Sequence, residues 1–271
     1  MTNDDAPNAP RRPAGLRGSL ALFLMGLIGV VAAIPTVMDL VADLLAGVPD
    51  APDLPLPALA ALALINPLIL LALGTLAGAL CAHRLGLRSR IAERVAGAPL
   101  SWREVAHGWR LALGLGAAVG VALVLLDGLT LPLLGPEGAE LALRGDRGVL
   151  VTVAGVLYGG VTEEVMVRWG LMSFLAYLAW RVAGSPAAGP GRAVMWAAIV
   201  ATALAFGALH LPAVDAVTAL TPAVVARTLL LNALGGVAFG WLFWRRGLEA
   251  AMIAHATAHL AMTALVLVTG G

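Results

Sequence analysis

Charge is scarce in this chain. Only 12% of its 271 residues are Asp, Glu, Lys or Arg, 60% are hydrophobic, and the mean hydropathy is +0.92. Soluble globular domains carry about 25% charged residues, so an ordinary soluble domain is excluded. Lysine is missing altogether: all 17 basic residues are arginine, which reads as genomic base composition rather than function. With a net charge of +1 and no basic cluster interleaved with aromatics, nothing points to a nucleic-acid partner. Cysteine is nearly missing too. A lone Cys81 excludes an intrachain disulfide and any cysteine-rich metal site, and within an apolar run it reads as a small packing residue.

What the chain has in quantity is long apolar runs. They fall near 19–38, 58–82, 108–130, 149–183, 193–210, 222–244 and 248–268. The first, Ser19 to Met38, is about 20 residues long, which is spanning length and longer than the apolar part of a signal peptide. No small-residue cleavage site follows, so it reads as an uncleaved helix after a polar, proline-rich and disordered cytoplasmic tail, 1–18. The remainder, 19–271, reads as a single membrane domain. The stretch 149–183 is ambiguous. As one helix it would run about 52 Å against a hydrocarbon core of about 30 Å. It is either one tilted or broken crossing or two crossings with a turn near Trp169-Gly170. Arginine excess marks cytoplasmic loops. The loop 83–107 carries five arginines and has the character of a surface helix, whereas 39–57 is acidic and proline-rich. One crossing at 149–183 puts Arg181, Arg192, Arg245 and Arg246 inside; two put them outside. The expected fold is therefore an all-α polytopic bundle of seven spans, N-terminus cytoplasmic, in a bacterial plasma membrane, with eight spans as the alternative.

Against this apolar background Glu163 and Glu164 stand out, adjacent and inside a span. A charged group near the bilayer centre costs roughly 2.5–3.5 kcal/mol, so it persists where it is paired or does chemistry. Glu164 and Arg168, four apart, share a helix face and can pair. Glu163, turned about 100° away on an α-helix, is free to point elsewhere, which assigns the salt bridge to Glu164 and the reaction to Glu163. Three histidines in later spans are the available partners. His210 follows Phe206 at a spacing of four and precedes Pro212, where its helix should close. His255 and His259 share one face of the last span, a spacing that suits two ligands of one Zn²⁺. The alanines around them leave room for substrate or for close helix approach. Structural readings stand beside these, since an ion cluster can hold helices together and a lone histidine is often a satisfied polar residue.

Glu-Glu-x-x-x-Arg at 163–168, Phe-x-x-x-His at 206–210 and His-x-x-x-polar at 255–259, in that order on successive spans, resemble the CPBP intramembrane proteases. That family comprises type II CAAX prenyl endopeptidases, bacteriocin-processing and immunity proteins, and relatives of lysostaphin resistance protein A. The resemblance covers about 149–268. It implies an intramembrane endopeptidase acting on a membrane-associated protein or peptide in the bilayer. In it Glu163, Glu164, His210 and His255 are catalytic, and Arg168, Phe206 and His259 support the motifs or the oxyanion. Two departures stand out. Val167-Arg168-Trp169-Gly170 replaces the frequent Phe-Arg-Gly, and His259 replaces an asparagine often assigned to oxyanion stabilisation.

Two schemes meet the needs of peptide hydrolysis, a base for water and a donor for the oxyanion. In one, Glu163 with His210 activates water while His255 and His259 stabilise the oxyanion, and no cofactor is needed. In the other, His210, His255 and His259 hold Zn²⁺, which lowers the pKa of bound water to about 7, with Glu163 as base. The third imidazole tips the expectation slightly toward zinc. The rival classes are a proton or metal transporter, whose relays also use intramembrane carboxylates, and a non-catalytic scaffold.

Overall fold

Seven helices are long and apolar enough to cross a bilayer: α1 (Gly15–Ala32), α2 (Leu56–Leu85), α3 (Trp102–Gly135), α4 (Val149–Val182), α5 (Arg192–Asp215), α6 (Pro222–Arg246) and α7 (Leu248–Thr269). The computed structural model describes residues 15–46, 54–143 and 147–269, and among these the regular structure is entirely helical. Residues 149–182 form one continuous helix, so the eight-span alternative does not hold. Two boundaries differ from expectation. α1 starts at Gly15, making residues 15–18 its first turn rather than tail, while residues 1–14 lie outside the described part. The first apolar run also breaks at Ala33, and a second helix, Ile34–Ala46, takes up part of the expected acidic linker. In 83–107 the expected surface helix is two short ones, Arg90–Val95 and Trp102–Val105.

α4 runs through the middle of the bundle against α1, α2 and α7. Lipid removes the usual hydrophobic drive between helices, so they associate where small residues let backbones touch. Such residues line α4 and its neighbours. A Cβ on Gly74 of α2 would stand 2.8 Å from Met166 Cα, and one on Gly160 would stand 2.8 Å from Ala256 Cβ of α7. Thr162, fully buried, donates its hydroxyl across the contact to the Gly26 carbonyl of α1 at 2.6 Å. Large apolar side chains such as Ile28, Leu73, Leu76, Leu80 and Leu125 face outward, where the hydrocarbon would lie.

Two buried carboxylates tie loops to this bundle. Asp127 of α3 pairs with Arg227 of α6, accepts from the Leu143 backbone N–H at 2.9 Å, and Arg227 donates to the Leu141 carbonyl at 2.8 Å. At the other end Glu249, in the first turn of α7, accepts from the Ser89 hydroxyl at 2.6 Å and the Ile91 N–H at 3.0 Å. Ser89 in turn caps the Arg90–Val95 helix by accepting from Ala92 N. Glu249→Ala leaves these buried donors without their acceptor, an expected loss of about 1–3 kcal/mol. Thermal unfolding in detergent measures it, and a midpoint equal to wild type would show that this corner does not bear on stability.

Candidate active site

The two glutamates lie on the middle section of α4, Gly155–Met172, which is π-helical between α-helical ends, Val149–Ala154 and Ser173–Val182. π-helical turns are rare and concentrate at functional sites. Their i→i+5 pattern puts more residues in each turn, so neighbouring side chains diverge by roughly 80° rather than the α-helical 100°. The consequence is visible at once. Glu163 does not point elsewhere in the bundle; both carboxylates meet the same imidazole of α7. Glu164 Oε1 lies 2.7 Å from His255 Nδ1, and Glu163 Oε2 lies 3.9 Å from His255 Nε2. Glu164 is fully buried and holds Arg168 as well, with Nη1 3.3 Å from the same Oε1. The expected Glu164–Arg168 pair is thus present, but it also carries His255. Glu163 keeps 13% side-chain exposure.

Aromatic rings wall this cluster. Phe239 of α6 stacks on His255 at 4.7 Å, and His255 stacks on His259 at 5.2 Å. The Arg168 guanidinium lies over both Phe206, at 5.1 Å, and Phe239, at 5.7 Å, close enough for cation–π attraction to offset part of its burial. Phe206 stands edge-on to His255 at 6.4 Å and to His210 at 4.6 Å.

His259 packs on two glycines of α4, Gly155 and Gly159, neither of which has room for a side chain beside the ring. Its Nδ1 lies 3.3 Å from Arg147 Nη2, and Arg147 Nε donates to Thr263 at 3.2 Å. Burial pushes the Arg147 guanidinium pKa below its ordinary value, the direction expected when a cation leaves water.

His210 is placed differently from the other two imidazoles. Its Nδ1 lies 2.8 Å from its own helix's Phe206 carbonyl, and it makes no ion-pair contact with either glutamate. α5 also does not close at Pro212; it continues to Asp215, with Ala216 N–H donating to the Pro212 carbonyl at 3.2 Å. Among the described residues no three His, Cys, Asp or Glu side chains form a group able to hold a metal ion. His210, His255 and His259 do not come together as such a group among the described residues.

Residues 146–261 match the family model of the Rce1-like type II CAAX prenyl endopeptidases. Over that segment, less than half of the chain, the sequence is similar to the CPBP family. No curated protein and no solved structure matches it. The matched segment holds Arg147, both glutamates, Arg168 and the three imidazoles, while Thr263, the partner of Arg147, lies just beyond it. Four residues of this site carry little or no signal in the sequence. Phe239 is one apolar residue in an apolar span and leaves no signal. Gly155 and Gly159 are two of 32 glycines. Arg147 lies in a loop among other charges, and its position two residues before a span is the available clue.

Proposed function

We propose that the protein is an intramembrane endopeptidase that hydrolyses peptide bonds of membrane-associated proteins or peptides, with Glu163 as the base that activates water. The supporting observation is the shared imidazole: Glu164 fixes His255 from one side while Glu163, partly exposed, faces its other nitrogen at 3.9 Å. A gap of that length between two polar atoms is one a water can bridge. A carboxylate accepts, so His255 gives Nδ1–H to Glu164 and presents its Nε2 lone pair toward Glu163.

The chemistry follows from those placements. Glu163 takes a proton from water as the water oxygen bonds to the peptide carbonyl carbon. The carbonyl oxygen becomes an oxyanion, and donors aimed at it lower the barrier. The carbon–nitrogen bond then breaks, and the proton held by Glu163 passes to the leaving amine. His255 orients Glu163 and the water; His259 lies beside it for the oxyanion. His210, hydrogen-bonded to the Phe206 carbonyl and making no ion pair with either glutamate, suits contact with the substrate chain better than water activation. Substrates are peptides delivered from or within the bilayer, the CAAX-type and leader-type classes of the family among them.

The test is cleavage of a membrane-peptide reporter by purified protein in detergent, with metal content measured on the same sample. Expected is Glu163-dependent cleavage that survives exhaustive chelation. One bound metal equivalent, with activity lost on chelation and regained only on adding metal back, would overturn the glutamate route in favour of zinc. No cleavage of any reporter, with ion flux in liposomes instead, would favour the transporter class.

A further inference from the structure

We infer that Arg147 is a positioning residue that turns His259 into a hydrogen-bond donor toward the reacting carbonyl, by deciding which ring nitrogen carries the proton. This rests on the hydrolytic reading just given. Residue 259 is an imidazole, where the proteins that this chain resembles usually have an amide. A side-chain amide always has an N–H to donate. A neutral imidazole has one, and it can sit on either nitrogen, so something must choose.

Arg147 makes the choice. A guanidinium has only donors, and its Nη2 is 3.3 Å from His259 Nδ1. That nitrogen must therefore accept, which leaves the single proton on Nε2. Nε2 is the atom turned toward Gly159: a Cβ there would stand 2.7 Å from His259 Nε2 and 3.4 Å from His255 Nε2. The missing side chain opens a notch that both imidazoles face, one turn before Glu163 on the same helix. The two rings bring opposite character to it. His255, having given Nδ1–H to Glu164 at 2.7 Å, offers an acceptor; His259, through Arg147, offers a donor. An acceptor and a donor side by side are what a water and a peptide carbonyl need when they react. The water is held on the His255 and Glu163 side, and the developing oxyanion accepts from His259 Nε2–H.

Arg147 is built into place for this. Its Nε donates to Thr263 Oγ1 at 3.2 Å, and its backbone carbonyl accepts from Thr152 Oγ1 at 3.3 Å. Thr152 and Thr263 hydroxyls meet at 3.0 Å, closing a ring of contacts between the start of α4 and the middle of α7. A loop arginine that served only solubility would have no such frame.

Two readouts test the inference. In protein labelled with ¹⁵N in its histidine rings, the His259 signals, assigned by their loss in His259→Asn, are expected to show the Nε2–H tautomer. Arg147→Met should move them off that pattern, and Arg147→Lys, which keeps a donor, should restore it. In reporter cleavage, losing one oriented hydrogen bond should cost Arg147→Met about tenfold or more in kcat, with KM changed less than about twofold. His259→Asn still cleaves at its own rate, and in that background Arg147→Met should cost less than about twofold, because an amide has no tautomer to choose. Equal kcat losses in both backgrounds, or an unmoved tautomer in Arg147→Met, would overturn the inference. If the wild-type chain cleaves nothing, the hydrolytic reading fails, while the ring signals still decide whether Arg147 sets the tautomer.

Discussion

Glu163→Gln is expected to reduce reporter cleavage by about 10²–10⁴-fold, the usual contribution of a positioned general base, while the variant inserts and purifies like wild type. The amide keeps the size of the carboxylate and some of its hydrogen bonding, but it cannot take a proton from water. Stability should hardly change, because Glu163 retains side-chain exposure and its contact to His255 Nε2 at 3.9 Å is long. The measurement is kcat and KM of purified protein beside its thermal midpoint. Normal cleavage with a lowered midpoint would mean that the two glutamates have each other's roles.

Glu164→Gln is expected to act mainly on stability, costing about 3–5 kcal/mol, the range for removing one partner of a buried ion pair. Glu164 is 0% exposed and Arg168 1%, so the arginine left behind cannot turn to water. The Phe206 and Phe239 rings soften the loss without cancelling it. A second variant separates charge from shape: Glu164→Gln with Arg168→Met removes both charges and should recover much of the midpoint. Cleavage by Glu164→Gln should fall as well, since a neutral amide holds the His255 ring less firmly than a carboxylate does. A wild-type midpoint for Glu164→Gln would remove the structural half of this account.

Much of the site was legible from chemistry alone. Carboxylates, a guanidinium and imidazoles are so costly in hydrocarbon that Glu163, Glu164, Arg168, His255 and His259 stand out in a sequence where nearly everything around them is apolar. The Glu164–Arg168 pairing followed from a spacing of four, which places two side chains on one face in either helical geometry. The direction of Glu163 did not follow. Rotation along one helix gives only the angle between neighbouring side chains, whereas the placing of the His255 ring within reach of both glutamates comes from the packing of α7 on α4. His210 shows the same limit: its spacing from Phe206 is readable, but that the Phe206 ring stands edge-on to both His210 and His255 leaves no trace in sequence.

The class of molecule, an all-helical membrane protein with seven candidate spans, is legible along the chain, because hydrophobic length and the placement of arginines are properties of local composition. Also legible are the candidates for chemistry, because an ionisable group in a span is conspicuous one residue at a time. How they combine comes from packing: both glutamates share His255, Arg147 faces His259, and Gly159 of α4 leaves the notch that both rings face. Those facts arise from helix winding and from contacts between residues about a hundred positions apart. A hydrogen bond depends on angstroms and angles that residue identity does not encode.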